Sequence, residues 1–234
     1  MKRYPLFFNR LLFVLVFLAT GLVSCIQEPG NAEQVRIYAD FYVRYLKPER
    51  ELKAYAAFLE GSSVENGLSK TFPGGVNFLA TAMDPRQLSD ATTRYQYAAK
   101  ANYPEQALFS FLQNDGKQQR FEAALASVDS FRVQAGCSKS AGLNLELFGA
   151  PLAADETLLL LFSDSTAHAY TLQQDGPLDN GKLQFTPQQL VHLPTGPLEL
   201  YLVRKKLIQG LRDNYDFRFA IEYYSDVLTI TMGE

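Results

Sequence analysis

The chain has no tryptophan, and only two cysteines and two histidines among its 234 residues. So few soft ligands, at Cys25, Cys137, His168 and His192, cannot compose a zinc signature, which needs several Cys or His at short spacings. The missing indole disfavours sugar stacking as the main role. No Gly-rich phosphate loop, heptad or fixed-period repeat is present. Neither a Gly-x-Ser-x-Gly elbow nor a serine with lysine three residues on occurs, so the familiar settings of a serine nucleophile are excluded. Basic residues are in deficit, 22 against 25 acidic, for a net charge of −3. The first 24 residues hold three of the basic residues and no acidic one, so the remainder carries −6. A surface of that sign argues against a nucleic-acid partner and against a second, polybasic contact with anionic lipid. No cofactor and no metal is expected.

What is present begins at the N-terminus. Lys2, Arg3 and Arg10 form a basic region, Leu11 to Leu18 an unbroken apolar run, and Ala19-Thr20-Gly21 a small-residue approach. That is the order of a secretory signal. The uncharged stretch is shorter than the roughly 20 apolar residues of a spanning helix. Leu22-Val23-Ser24-Cys25 then resembles a bacterial lipobox. The resemblance implies cleavage before Cys25, acylation of Cys25 and attachment to a membrane through it; several acyl chains hold a protein stably where one is marginal. A plain signal peptide and a short transmembrane anchor are the competing readings. Ile26 follows the cysteine where an inner-membrane retention signal has Asp, so the resemblance points to the outer membrane. Residues 27–34 are polar, include Pro and Gly, and read as a tether. With Cys25 acylated, Cys137 has no partner for an internal disulfide and reads as a small buried apolar residue rather than a reactive thiol.

Beyond the tether, patterning predicts strands throughout. Val35 to Tyr45 alternates for eleven residues, with Ile37, Phe41 and Val43 on one face and Tyr38, Asp40 and Tyr42 on the other. Lys47-Pro48-Glu49-Arg50 could start a helix on propensity, but the long preceding strand needs an antiparallel partner, so a hairpin return through Leu52 to Phe58 is expected. Asp84-Pro85 reads as a break after Val76 to Met83. Asn114-Asp115-Gly116, between two strand-like runs, is the strongest local hairpin signal. Phe131 and Val133 close a first half, and 134–142 reads as a joint. In the second half, Thr157 to Phe162 suits a central strand. Thr186-Pro187 opens one helical turn, with Thr186 as N-cap. Leu198 to Val203 is a strand that Arg204-Lys205-Lys206 ends.

About seven short strands per ~100 residues, with frequent turns, is the pattern of a β-sandwich. Leu183 to Pro187, Leu193 to Gly196 and Leu198 to Val203 resemble the strand, helical turn, proline-glycine corner and next strand of bacterial immunoglobulin-like domains. The whole resembles tandem β-sandwich lipoproteins of the Bacteroidetes group. The expected fold is all-β, with two immunoglobulin-like antiparallel β-sandwich domains in tandem after a lipoprotein signal peptide. The expected division is 1–24 signal peptide, 25–34 lipidated tether, 35–134 first domain and 135–234 second domain.

Function is less legible. His168 or His192 could serve as a general base, but neither has a sequence-adjacent partner, and ordinary surface histidines account for both. Ser138-Lys139-Ser140 has the wrong spacing for a nucleophile. Asp213 to Asp216, and Asp175 with Asp179-Asn180, are oxygen-rich turns that could take calcium, though Asp and Asn are also the default turn residues. Tyr38, Tyr42 and Tyr95 are the candidate binding residues, since exposed tyrosine gives contact area at little entropic cost. The expectation is a non-catalytic, lipid-anchored envelope protein that binds or scaffolds another protein. A glycan-binding lipoprotein of a polysaccharide uptake system is the alternative, and a hydrolase with dispersed residues a third.

Overall fold

The computed structural model describes residues 35–89, 92–134, 137–166 and 168–234. Cys25, the Leu22-Val23-Ser24 segment and the tether lie outside the described residues. Residues 35–234 form one unit that is almost wholly β-strand.

The elements follow from alternation. β1 (Arg36–Leu46) buries Ile37, Ala39, Phe41, Val43 and Tyr45, every second residue. It is antiparallel to β2 (Glu51–Gly61), with Tyr42 opposite Tyr55, so the hairpin over 47–60 forms despite its helical propensity. A strand with an apolar face must be covered, and pairing supplies both main-chain hydrogen bonds and that cover. β1 also lies parallel to β16 (Tyr215–Tyr224) along its length, from Ile37 opposite Tyr215 to Leu46 opposite Tyr224. Around this pair runs the largest sheet, in the order β13 (Ala169–Asp175), β12 (Glu156–Ser163), β15 (Gly196–Arg212), β16, β1, β2, β7 (Thr92–Lys100), β6 (Asp84–Ser89). β3 (Leu68–Ser69) and β17 (Leu228–Met232) pair with β2 and β15 beside that path.

Two smaller sheets complete the described residues. One is β5 (Thr81–Ala82), β4 (Val76–Phe78), β8 (Gln106–Leu112), β9 (Gln118–Ala124). The other is β10 (Val128–Val133), β11 (Leu143–Gly149), β14 (Lys182–Phe185). The β8–β9 hairpin turns at Asn114-Asp115-Gly116, where Gly116 takes φ +81°, a conformation that suits glycine. Helix α1 (Pro187–Leu190) follows Thr186, whose backbone N–H donates to Gln189 Oε1 at 2.9 Å.

The core differs along the large sheet. Against β8 and β9 it is aromatic: Phe41 lies 4.9 Å from Phe109, 4.8 Å from Phe121, and 5.5 Å from both Phe58 and Phe219, centroid to centroid. Near β11 and β14 it is leucine-rich, with Leu143, Leu145 and Leu183 buried together with Leu158, Leu160 and Leu202.

The large sheet draws strands from both sides of residue 134: β16 pairs with β1, and Phe219 and Tyr215 pack into the first half's aromatic core. Two local expectations are corrected here. β10, expected to close the first half, pairs with β11 of the second. Pro85 sits within β6 rather than breaking a strand, because β6 is an edge and an edge strand tolerates a missing N–H.

The largest correction is at Arg204. The Arg204-Lys205-Lys206 run does not end a strand; it lies inside the 17-residue β15. Alternation sends Arg204 inward, where it is 3% exposed beside Glu156 at 6%. Arg204 Nε donates to Glu156 Oε2 at 2.9 Å, and Nη2 donates to the same oxygen. Its remaining donors reach the carbonyls of Ser127, Ala150 (3.0 Å) and Pro151. Lys206 instead pairs with Asp155 at 2.8 Å. Half-buried Tyr103 and buried Tyr223 help to satisfy the crossing between β9 and β10: Tyr103 donates to Leu125 O at 2.8 Å and Tyr223 to Val128 O at 3.2 Å. Buried carbonyls need such donors.

Arg204→Met strands Glu156 as a buried, unpaired carboxylate and is expected to cost about 3–5 kcal/mol in urea unfolding. Arg204→Met/Glu156→Leu removes the charge with its partner and is expected to lose less than the single variant. An equal or larger loss in the double variant contradicts this role for the pair.

Candidate functional site

One face of the large sheet packs on the core; the other carries the candidate site. A row of side chains crosses five neighbouring strands on this outer face. Arg94 of β7 lies over the Tyr55 ring of β2 at 4.7 Å. Tyr55 stacks on Tyr42 of β1 at 6.0 Å and 12°. Tyr42 donates its phenol to Glu222 Oε2 of β16 at 2.6 Å, and Tyr224 donates to the same oxygen at 3.0 Å. Tyr224 then stacks on Tyr201 of β15 at 6.2 Å and 27°. The register makes this row possible, since Tyr42 faces Tyr55 across the hairpin. Burial first, and then the Glu222 carboxylate beside them, raises both the Tyr42 and Tyr224 phenols, Tyr224 to about 12.

Beside the row is an open groove of about 460 Å³, bordered by Tyr38, Leu59, Val64, Gln209 and Arg218. Tyr38 is held by a bond from its phenol to Ser62 O at 2.9 Å. Arg218 reaches Asp40 at 3.4 Å. On the same face of β15, Leu207 and Leu211 are 48% and 58% exposed, and Val64 at the groove is 53% exposed. The face therefore combines tyrosine, exposed aliphatic surface and a few fixed charges.

The expected site residues fall out differently. Tyr38 and Tyr42 stand on this outer face. Tyr95 does not: β7 turns it inward, where it is 3% exposed and packs on Phe58 at 6.2 Å. Its position in the alternation, one residue from the outward Arg94 and Gln96, decides this. His168 is exposed in a turn with Thr166 Oγ1 2.8 Å and Asp164 Oδ2 3.7 Å from Nδ1. His192 is exposed elsewhere, after α1. Cys137 is half-buried, 3.5 Å from Met232 Sδ, and burial raises its thiol pKa.

The oxygen-rich turns hold themselves together. Asn180 Oδ1 accepts from Lys182 N at 3.0 Å, Asp175 from Thr157 Oγ1 at 2.9 Å, and Asp213 pairs with Lys117 at 3.5 Å. Among the described residues no group of three or more His, Cys, Asp or Glu is placed to hold a metal. Sequence reasoning missed Tyr55, Tyr201 and Glu222. Tyr55 was within reach of it, because a hairpin turning at residues 47–50 puts residue 55 opposite residue 42.

No protein-family model and no curated protein matches the chain. A solved structure described as "Crystal structure of tetra-tandem repeat in extending region of large adhesion protein" matches at 11% identity, over 81% of this chain and 49% of that one, with a TM-score of 0.28. This chain thus spans about half the length of that structure. A superposition so loose says nothing of function here.

The raised phenols carry a sign. In the unfolded chain tyrosine ionises near pH 10, whereas Tyr224 in the fold holds its proton to about 12. The stability this contributes is full below pH ~10 and is lost as pH rises from there through 12. Glu222→Gln removes the adjacent charge and is expected to move the upper limb of the ultraviolet tyrosine titration to lower pH. An unchanged limb contradicts the shared-carboxylate arrangement.

Proposed function

We propose that this chain is a non-catalytic, lipid-anchored protein of the outer membrane, held through acylated Cys25, that uses the outer face of its large sheet to bind another envelope protein. We read its folded part as two immunoglobulin-like β-sandwiches fused side by side, the first completed by β16 from the second. The anchor rests on the Leu22-Val23-Ser24-Cys25 segment and the basic and apolar stretches before it. The binding reading rests on one observation: the tyrosine row lies beside exposed Leu207, Leu211 and Val64 and an open groove. Exposed tyrosine and leucine on one sheet face give desolvatable area with hydrogen-bonding tips, which suits a protein surface. The rings stack on one another along the row, which leaves less bare ring face than a sugar platform needs.

The two parts are tested separately. Radiolabelled palmitate is expected to enter the chain in cells and to be lost in Cys25→Ser; label that persists in the variant, or never appears, removes the anchor. A photo-crosslinking residue at Gln209 in intact cells is expected to give a discrete protein adduct, and one at Gln118 on β9 none. Silence at Gln209 removes the binding face.

A further inference from the structure

The main path of the large sheet ends at two edges of unlike construction; β17, beside that path, is five residues long and runs on into Gly233, whose main chain is already bonded to Cys137 O and Lys139 N. β6 carries Pro85, an ion pair between Asp84 and Arg86 at 2.8 Å, and a register shift between Gln87 and Ser89. Each of these discourages another strand from adding there. β13, at the opposite edge, has none of them. Its seven residues (Ala-Tyr-Thr-Leu-Gln-Gln-Asp) include no proline, glycine, lysine or arginine, and the one charge is on the last residue. Among the described residues it pairs with β12 on one side only. None of its residues is buried, and Tyr170 and Leu172 cap the core from the edge with part of each side chain still open. The edges of the smaller sheets are shorter or charged: β5 and β14 have two and four residues, β9 carries Arg120 and Glu122, and β10 carries Asp129, Arg132 and a register shift.

We propose that β13 is a strand-addition interface whose occupant is a second copy of this chain, paired antiparallel about a two-fold axis at Leu172. β13 is complementary to itself. With the axis at Leu172 all seven residues are in register: Tyr170 faces Gln174, Thr171 faces Gln173, Leu172 faces itself, and Ala169 faces Asp175. Leu172 and Tyr170 then cover the open flank of the core from both copies, and Thr171 with Gln173 lies on the exposed side. No like charges meet, because Asp175 is opposite an alanine. The unpaired main-chain groups of each edge are satisfied by the other. This interface is separate from the outer-face reading and stands or falls without it.

The test uses the full chain in detergent, with Cys137→Ser to remove a competing thiol. Leu172→Cys sets two thiols across the axis, where facing Cα atoms of an antiparallel pair are about 4.5–5.5 Å apart, within disulfide range. A disulfide-linked dimer is expected from this variant and none from the Cys137→Ser parent. Two further variants place charge on the exposed side. Thr171→Lys/Gln173→Lys puts like charges opposite each other twice and is expected to abolish the dimer seen by sedimentation. Thr171→Lys/Gln173→Glu puts opposite charges in the same places and is expected to keep it. Circular dichroism matching the parent shows that both variants are folded. A parent that is monomeric at every concentration, absence of the cross-link, or equal behaviour of the two charge variants overturns the proposal, and the last outcome redirects it to another register or to a foreign strand.

Discussion

The parallel pairing of β1 with β16 is the constraint on which the remaining architecture rests. The first described strand and the next-to-last are neighbours for ten residues of register, from Ile37 to Leu46. The aromatic part of the core is complete only with both, since Phe41 comes from one strand and Phe219 from the other. A parallel pair cannot be closed by a tight turn and needs a long connection. Here the connection is most of the chain, and within it lie both small sheets. Such non-local pairing delays the reward for loop closure, so slow folding is the physical expectation.

Where the chain passes between the two small sheets, polar chemistry takes over from packing. The segment between β9 and β10 and the first residue of β10 present carbonyls to the interior, and Tyr103, Arg204 and Tyr223 donate to them. Arginine suits the position because its planar fork offers five donors, enough for Glu156 and three carbonyls at once. A buried pair of this kind is weak evidence of added stability. What it does here is tie β15, the start of β12 and the loops beside β10 and β11 to one point.

Much of this was legible in the sequence wherever alternation was clean. The β1 pattern, the hairpin after it, the Asp115-Gly116 turn and the Thr186-Pro187 helix start all sit where residue chemistry puts them. Misreadings arose where a long-range partner overrode a local signal. A basic triplet reads as solvated, and only Glu156, 48 residues earlier in the chain, makes Arg204 a core residue. Proline reads as a breaker until the strand holding it is known to be an edge. Tyr95 and Tyr42 are the same residue type in similar strands, and sheet parity alone sends one inward and the other out. Local texture likewise cannot reveal that β16 belongs beside β1.

The outer face inherits its order from this frame. Tyr55, Tyr42 and Glu222 come from β2, β1 and β16, so the row exists only while the β1–β16 pair holds. The same pairing makes the two small sheets, which share one core with the large sheet, unfold together. Hydrogen exchange with mass readout, across a urea series, follows β8–β9 and β11–β14 separately. The account predicts that both lose protection at one urea concentration, as a single cooperative unit. Loss of protection in β11–β14 at a concentration where β8–β9 remains fully protected would contradict it.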